Sequence, residues 1–194
     1  AAAYEADGKP DQAKAEFERA IGLLKSGLEQ YPSSSNSWTF LAEAYLKGIR
    51  DFDVEKAYQA MRRTALAPTP PGAAFSGREG VEDYLKFGYC PSGHMKESVA
   101  RTMEFAWADS AIALLAEALG HREDAELFRT HSQFYRNLWN PATQYFQPRD
   151  AEGKFFEPFK PLLLTYLDRK GEFTKDYVEG SALQWRWAAP FDAE

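Results

Sequence analysis

Apolar residues recur at helical spacing in segment after segment of this 194-residue sequence, and this periodicity restricts the fold more than any other feature. Residues 10–31 show it first, because four apolar side chains there fall on one face of a helix: Phe17, Ile21, Leu24 and Leu28. The same spacing predicts helices over residues 38–47, 54–66, 79–87, 98–119 and 124–139. With a short C-terminal helix the total is about seven. Short connections favour antiparallel neighbours, so we predict an all-α fold of antiparallel helical hairpins.

Capping and stop residues set the predicted helix ends. Asp53 is a predicted N-cap, because its side-chain oxygen can accept from backbone N–H groups of the helix that follows. Gly48 and Gly120 each follow a periodic apolar segment, where glycine commonly ends a helix. Proline and glycine make residues 65–77 the clearest loop in the first half of the sequence, and serines interrupt the helical pattern over residues 31–37.

The pattern changes between residues 140 and 161. Two turn signals and two aromatic pairs alternate there, namely Asn140-Pro141, Tyr145-Phe146, Glu152-Gly153 and Phe155-Phe156. We therefore predict a small hairpin or ordered loop inserted among the helices. Segments of this kind often lie beside a functional site.

Charge and hydropathy argue against two classes of partner. The net charge is −6, from 29 acidic and 23 basic residues without a long run of one sign, which argues against nucleic-acid binding. No apolar stretch approaches the roughly 18–20 residues of a membrane-spanning helix, so no membrane span is predicted. The N-terminus lacks the basic and apolar regions of a signal peptide, and we interpret the sequence as beginning inside a longer protein.

Several reactive side chains do not form a convincing site. No metal site is predicted within this chain, because the three histidines, His94, His121 and His131, do not pair with one another at i, i+3 or i, i+4 spacing. Cys90 is the single cysteine, which excludes an internal disulfide, and we interpret it as a loop residue. Glu104 and Asp109 lie five residues apart on one predicted helix and should therefore point to different sides.

The C-terminal stretch, residues 176–192, concentrates the candidate chemistry. Glu179 is followed by two small residues and then by an amide and two indoles: Gly180, Ser181, Gln184, Trp185 and Trp187. Indole faces stack on the C–H faces of a sugar ring, amides bond to its hydroxyls, and a carboxylic acid in apolar surroundings can keep a proton for a leaving oxygen. The pattern is typical of a sugar-processing site, although a purely structural role is the more common one for a carboxylate beside a helix N-terminus. The alternative is a buried amphipathic helix in which Glu179 only complements the helix dipole.

The first 67 residues loosely resemble a tetratricopeptide repeat. The matching positions are Trp38, Leu41, Ala42 and Tyr45 for one helix and Ala13, Phe17 and Ala20 for the other. The pattern does not return at a fixed spacing of about 34 residues. A helical-repeat module that binds peptides is therefore an alternative function, and residues 1–37 are treated as a separate N-terminal helix.

A more extensive resemblance covers residues 42–192, which are similar to the catalytic domain of glycoside hydrolase family 92, the calcium-dependent, inverting exo-α-mannosidases. Five stretches carry it in the family's order and at roughly its spacings: AYLKGIRDFDVEKAYQAMRRTAL, GREGVEDYLKFGYCP, SVARTMEFAWADSAIALLAEALG, YRNLWNPATQYFQPRDAEGKFFEPF and YVEGSALQWRWAAPFD. The resemblance implies that residues 38–194 form part of an (α/α)6 toroid, which in the family packs against an N-terminal β-sandwich. It also implies an extracellular or periplasmic protein that acts on a mannose-containing glycan.

Expected site residues follow from this resemblance position by position. The family's general acid is the Glu of a motif typically written EGNAWQY, and that Glu corresponds to Glu179. The motif's Gln, which lies next to the sugar, corresponds to Gln184. Trp185 and Tyr177 are also expected to contact the substrate. The motif departs from the family pattern at three positions, where Asn, Trp and Tyr are usual: Ser181, Leu183 and Trp185.

The family's other catalytic parts have no match in this sequence. Its base aspartates lie well beyond the acid motif, and its calcium-binding segments lie outside the matched stretches. We therefore interpret the sequence as a fragment of a mannosidase domain that carries the general acid without the general base, with Ca²⁺ bound by residues elsewhere. A carbohydrate-binding remnant without hydrolysis is the remaining alternative.

Overall fold

The computed structural model describes residues 35–73, 77–163 and 174–192, together with three isolated helical positions at 11, 15 and 19. Within these ranges the protein is mainly helical, with a small two-stranded sheet. The α-helices are α1 (Ser35–Leu46), α2 (Val54–Leu66), α3 (Val81–Phe87), α4 (Ser98–Leu119), α5 (Arg122–Ser132) and α6 (Ala182–Trp185). The 3-10 helices span Phe134–Leu138 and Pro190–Asp192, and the strands span Trp139–Asn140 (β1) and Tyr145–Phe146 (β2).

Helix α4 is the centre of the fold, because α1, α2 and α5 all pack against it. Its C-terminal half lies in a first hydrophobic cluster with the buried side chains of Met61 and Phe128. Its N-terminal half lies in a second cluster with the rings of Phe146 and Tyr177. Full burial of one such side chain contributes about 1.5–3 kcal/mol. The second cluster therefore holds the C-terminal stretch firmly against the N-terminal half of α4.

Two predicted helices are confirmed at both ends. The α2 helix spans Val54–Leu66, and the Asp53 carboxylate caps it by accepting from the Lys56 N–H at 3.0 Å. The α4 helix spans Ser98–Leu119 and is followed by Gly120, whose φ of 85° is the left-handed conformation that glycine adopts without steric cost. In both helices a capping residue and the apolar periodicity indicate the same helix end.

Three predicted helices differ from the observed ones. The α1 helix begins at Ser35, within the predicted break, because N–H groups of a first helical turn have no intrahelical partner and polar residues are tolerated there. The α3 helix begins at Val81, two residues late, because Gly80 adopts a left-handed φ of 84°. The helix predicted over residues 124–139 divides into α5 and the 3-10 helix Phe134–Leu138.

The division after α5 changes which side chains face the core. Leu127 is 37% exposed, whereas the neighbouring Phe128 is completely buried. The tighter 3-10 turns then place Tyr135 and Leu138 in the second cluster. A single helical period fitted across the whole segment cannot represent this change of pitch.

A small hairpin or ordered loop was predicted within residues 140–161, and the structure has a hairpin at the start of that range. Strands β1 and β2 pair antiparallel, with Trp139 opposite Phe146 and Asn140 opposite Tyr145. The Trp139 and Phe146 rings meet edge to face, with centroids 5.1 Å apart. The hairpin therefore adds an aromatic wall to the second cluster.

Most of the helix predicted over residues 10–31, with the tetratricopeptide-like positions in it, lies outside the described residues. The same is true of residues 74–76 in the predicted loop and of residues 164–173. Among the helices that the structure describes, none is both long and apolar enough to cross a lipid bilayer.

A buried ion pair joins the loop before α3 to α4. The Arg78 guanidinium lies 2.6 Å from Asp109 Oδ1, and the Tyr84 hydroxyl donates to the other carboxylate oxygen at 2.9 Å. Burial raises the pKa of Asp109, against the opposing effects of Arg78 and Tyr84. The two donors therefore satisfy a carboxylate that would otherwise be costly to bury.

His131 lies close to this ion pair, and its Nδ1 atom is buried without a hydrogen-bond partner among the described residues. Burial lowers the pKa of His131 below its ordinary value, with Asp109 opposing and Arg78 adding to that effect. The unfolded state then binds a proton at a higher pH than the folded state. The contribution of neutral His131 to the free energy of unfolding should therefore be complete above about pH 6.5. It should decline as the pH falls below that value.

Replacing His131 with phenylalanine is expected to remove this decline, because the contacts with Phe128 and Phe134 persist while the titrating group is gone. Guanidinium unfolding measured from about pH 8 to about pH 5 should show a flatter pH dependence in His131→Phe than in the parent. At the upper pH the two proteins should differ by about 1 kcal/mol or less. Equal slopes in the two proteins would contradict this role of His131.

Candidate functional site

A cleft of about 290 Å³ lies where the C-terminal stretch meets the N-terminal half of α4. The side chains that give it its chemical character are Met103, Glu104, Trp107, Glu179, Gln184 and Trp185. Glu179, Gln184 and Trp185 therefore lie together, as the sequence predicts. Glu104 and Trp107 were not predicted here. Their i, i+3 spacing places them on one face of α4, but nothing in the sequence indicates that this face meets the C-terminal stretch.

Glu179 lies in a strained turn before α6. Its φ of 54° is left-handed, a conformation that costs a residue with a Cβ about 1–2 kcal/mol. The Trp185 indole fixes this turn, because its Nε1 donates to the Val178 carbonyl at 2.9 Å. The Glu179 side chain is exposed in the open cleft, so the described residues do not supply the enclosed apolar surroundings expected for it.

The alternative of a dipole-complementing glutamate in a buried helix is wrong. The α6 helix has four residues and begins at Ala182, with Ser181 as its N-cap. Glu179 precedes that N-cap by two residues, so it is not an acid of the first helical turn. Side chains held in strained turns outside regular structure are more typical of functional positions.

Gln184 keeps one side-chain atom for a ligand. Its Oε1 accepts from the Ser181 N–H at 2.6 Å, which is a bond of the capping box of α6, and also from the Ser181 hydroxyl at 2.8 Å. No described residue accepts from its Nε2, which can therefore donate to a ligand hydroxyl. Gly180 permits this arrangement, because a Cβ there would lie 3.1 Å from Gln184 Oε1.

Tyr177 supports the site through the second cluster. Its ring is 2% exposed, and its hydroxyl donates to the Phe146 carbonyl at 2.6 Å. Burial raises the pKa of this phenol, so the hydroxyl keeps its proton for that bond. The bond ties the C-terminal stretch to β2, which is a positioning role. A direct contact between Tyr177 and a substrate stays a prediction.

The backbone just before Glu179 caps α4. The Asp176 carbonyl accepts from the N–H groups of Val99 at 3.0 Å and Ala100 at 3.3 Å, and the Asp176 carboxylate accepts from the Ser98 hydroxyl at 2.8 Å. The first N–H groups of a helix have no partner within the helix, so these bonds satisfy donors of α4. They also fix the C-terminal stretch, and Glu179 with it, beside the first turns of α4.

A larger cavity, of about 910 Å³, is lined by other parts of the chain, including Lys96, Arg101, Lys160 and Asp176. Its charged groups are of both signs, and no tryptophan is among the described residues that line it. Size alone does not identify a site. We place the candidate site in the smaller cleft because a carboxylate, an amide and two indoles converge there.

Other reactive groups in the described residues do not form a second site. Burial raises the pKa of the Cys90 thiol to about 12, so the thiol is protonated at neutral pH. No group of three His, Cys, Asp or Glu side chains in the described ranges could hold a metal ion, so these residues do not fit the calcium ion implied by the resemblance. Asp109 points into the core and Glu104 into the cleft, as their spacing predicts.

Replacing Glu179 with glycine is expected to raise the free energy of unfolding by about 0.5–1 kcal/mol, because glycine adopts the left-handed φ without the Cβ penalty. Gln144, in the turn between β1 and β2 with a φ of 60°, provides the matched control. Gln144→Gly should stabilise the protein by a similar amount without altering the cleft. Thermal unfolding of both variants checks this. Destabilisation by Glu179→Gly alone would mean that the glutamate side chain contributes more to the fold than its strain costs.

Comparisons with known proteins place the chain in one enzyme family. The family model described as the glycosyl hydrolase family 92 catalytic domain matches residues 25–194. A curated relative from Arthroderma benhamiae, described as an uncharacterized secreted glycosidase, is 29% identical over 137 residues. The match covers 65% of this chain and 17% of that protein.

Solved structures agree with the family match. A family 92 inverting mannosidase from Bacteroides thetaiotaomicron is 34% identical, with a TM-score of 0.70, and the match covers 79% of this chain and 20% of that chain. A family 92 α-mannosidase from the same organism, solved in complex with mannoimidazole, is 30% identical, with a TM-score of 0.70 and coverage of 79% and 19%. The chain thus spans about a fifth of the length of these structures. The predicted all-α fold is confirmed, and it corresponds to part of their helical catalytic domain.

Proposed function

Because this chain belongs to glycoside hydrolase family 92, we propose that its cleft is part of the active site of an exo-acting, inverting α-mannosidase that hydrolyses α-mannosidic bonds of glycans. The observation that carries the proposal is the convergence of Glu179, Gln184 and two indoles in one cleft, within the residues that match the family. The descriptions of the Bacteroides thetaiotaomicron relatives, one an inverting mannosidase and one an α-mannosidase, support this substrate class.

In this proposal Glu179 is the general acid. Its carboxyl group protonates the glycosidic oxygen as the bond to mannose breaks, so that the leaving sugar departs as a neutral alcohol. The open cleft gives a terminal sugar access to this carboxyl group, and the bond from Trp185 to the Val178 carbonyl holds the turn in place. A glycan packed against Trp107 would exclude water from the carboxyl group and strengthen its contact with the leaving oxygen.

Gln184 and Trp185 are the proposed substrate-binding residues. The Nε2 of Gln184 donates to a mannose hydroxyl, since its Oε1 is committed to Ser181. The Trp185 side chain lines the cleft while its N–H is bonded to the Val178 carbonyl, so its ring offers the sugar an apolar surface. Both side chains belong to α6, and their positions therefore depend on the same capping box.

The other half of the reaction requires a second carboxylate. In inverting glycosidases a general base lies about 6.5–9.5 Å from the acid and activates a water molecule on the opposite face of the sugar. We propose that this base, the ligands of Ca²⁺ and the N-terminal β-sandwich are contributed by parts of the protein other than the described residues. The proton transfer assigned to Glu179 does not pass through the metal.

A mannose-containing glycan outside the cytoplasm is the proposed substrate. The curated relative is described as secreted, and one solved relative is in complex with mannoimidazole. The acidic balance of the chain, with a net charge of −6, is suited to a neutral glycan rather than to a polyanion.

The test is to incubate the complete protein with α-linked and β-linked mannobioses, with and without added Ca²⁺, and to follow the products by NMR. Mannose should be released from an α-linked substrate alone and should appear first as the β-anomer, because the reaction inverts the configuration. Release of the α-anomer first would overturn the inverting mechanism. Calorimetric binding of mannobiose without product would identify a carbohydrate-binding remnant, and neither binding nor product would favour the helical interaction module.

A further inference from the structure

We propose that Glu104 binds a hydroxyl group of the glycan in the Glu179 cleft and helps to select the sugar that the site accepts. This inference rests on the proposed function. Glu104 lies in the second turn of α4, one helical turn before Trp107, and both side chains line the cleft together with Glu179 and Gln184. Glu104 is therefore a second carboxylate at the same site.

The Glu104 carboxylate has no partner in the described part of the protein. It is half-buried, yet no hydrogen bond or ion pair joins it to a described residue. Burial alone raises the pKa of Glu104 above its ordinary value. Asp109 on the same helix shows the contrast, because Arg78 and Tyr84 both bind its carboxylate. The Glu104 carboxylate has lost contact with water without gaining a hydrogen-bond donor from the described part of the protein. It therefore favours a ligand that supplies such a donor.

A sugar hydroxyl suits this acceptor better than a cation. The described residues bring no three ligating side chains together, so the site does not suit a metal ion. Arg186 follows the cleft residue Trp185 in the sequence, but its guanidinium lies over the rings of Trp139 and Trp187. The cleft also offers the Trp107 indole, 41% exposed, which can cover the apolar face of a sugar ring.

The polar groups of the cleft then have separate tasks. Gln184 Nε2 donates, Glu104 accepts, and Glu179 is reserved for the leaving oxygen. A substrate that lacks the hydroxyl opposite Glu104 leaves this carboxylate unpaired and is bound less tightly. Glu104 thereby becomes a determinant of specificity, distinct from the residue that transfers the proton.

The test compares Glu104→Ala and Glu104→Gln in the complete protein with Glu117→Gln, a matched control on the exposed side of α4 whose carboxylate pairs with Arg129. On an α-mannobiose that the wild type cleaves, Glu104→Ala should raise KM by about ten- to a hundred-fold and change kcat much less. Glu104→Gln keeps an acceptor oxygen and should lose less. Glu117→Gln should match the wild type.

A series of monodeoxy mannosides identifies the contact. The wild type should discriminate against the sugar that lacks the bonded hydroxyl, and Glu104→Ala should lose discrimination against that sugar alone. If Glu104→Ala does not fold, a smaller loss of discrimination against the same deoxy sugar in Glu104→Gln carries the test. An unchanged KM and deoxy profile would overturn the inference and leave the proposed function intact. So would a fall in kcat without a rise in KM, which would indicate proton transfer. A wild type that neither binds nor cleaves mannosides would overturn both.

Discussion

Replacing Glu179 with glutamine in the complete protein is expected to lower kcat for an α-mannobiose by about 10²–10⁴-fold, the usual contribution of a general acid. Glutamine preserves the size of the side chain but has no acidic proton for the departing oxygen. The loss should be much smaller for an aryl mannoside whose leaving group is stable as an anion, because protonation matters most for a basic leaving group. Steady-state kinetics on the two substrates measure this difference.

Glu97 provides the matched control for this substitution. It is also a glutamate in the left-handed conformation, with a φ of 60°, but it precedes α4 and does not line the cleft. Glu97→Gln should therefore retain wild-type kinetics on both substrates. A wild-type rate for Glu179→Gln on mannobiose would refute the assignment, and an equal loss on both substrates would show that Glu179 acts in some way other than as a proton donor.

The substitution Arg78→Met is expected to reduce the free energy of unfolding by about 3–5 kcal/mol, because it leaves the completely buried carboxylate of Asp109 without its counter-ion. The Tyr84 hydroxyl still donates to that carboxylate, but one neutral donor does not replace a charge. Guanidinium unfolding followed by tryptophan fluorescence measures the loss.

Two further variants separate burial from charge. Arg129→Met breaks an ion pair with Glu117 in which both side chains are about half exposed, and it should cost no more than about 1 kcal/mol. The double variant Arg78→Met/Asp109→Leu removes both charges of the buried pair and should recover most of the stability lost in Arg78→Met. A double variant as unstable as the single one would mean that Arg78 acts mainly by packing on the Phe105 ring, 5.0 Å away.

The parts of the fold that sequence reasoning predicted are those with two agreeing local signals. Both ends of α2 and α4 are correct, because Asp53 and Gly120 mark positions that the apolar periodicity also marks. The start of α3 and the end of α5 are not correct. There the outcome depends on a left-handed glycine, Gly80, and on a tighter helical pitch selected by packing in the second cluster. Neither effect has a local signature that a periodicity can reveal.

The residues of the candidate site also fall into two groups, those that local sequence signals predicted and those that they did not. Glu179, Gln184 and Trp185 were predicted together because they are close in sequence, and one short turn and helix hold them. The contribution of α4, through Glu104 and Trp107, depends on contacts between segments that are distant in sequence. The strain at Glu179 was not predicted either, since glutamate has no preference for a positive φ. The domain boundary at residue 37 stays a prediction.

The bonds between Asp176 and the start of α4 have a consequence for the order in which the molecule assembles. Ser98 and Asp176, which are joined by a hydrogen bond, lie 78 residues apart in the sequence. During translation α4 therefore leaves the ribosome long before the Asp176 carbonyl, which accepts from the N–H groups of its first turn. Until Asp176 has been translated, those N–H groups must donate their hydrogen bonds to water. A nascent chain can therefore acquire its helical interior early, while the position of residue 179 relative to that helix is determined only when residues 176–192 have been translated.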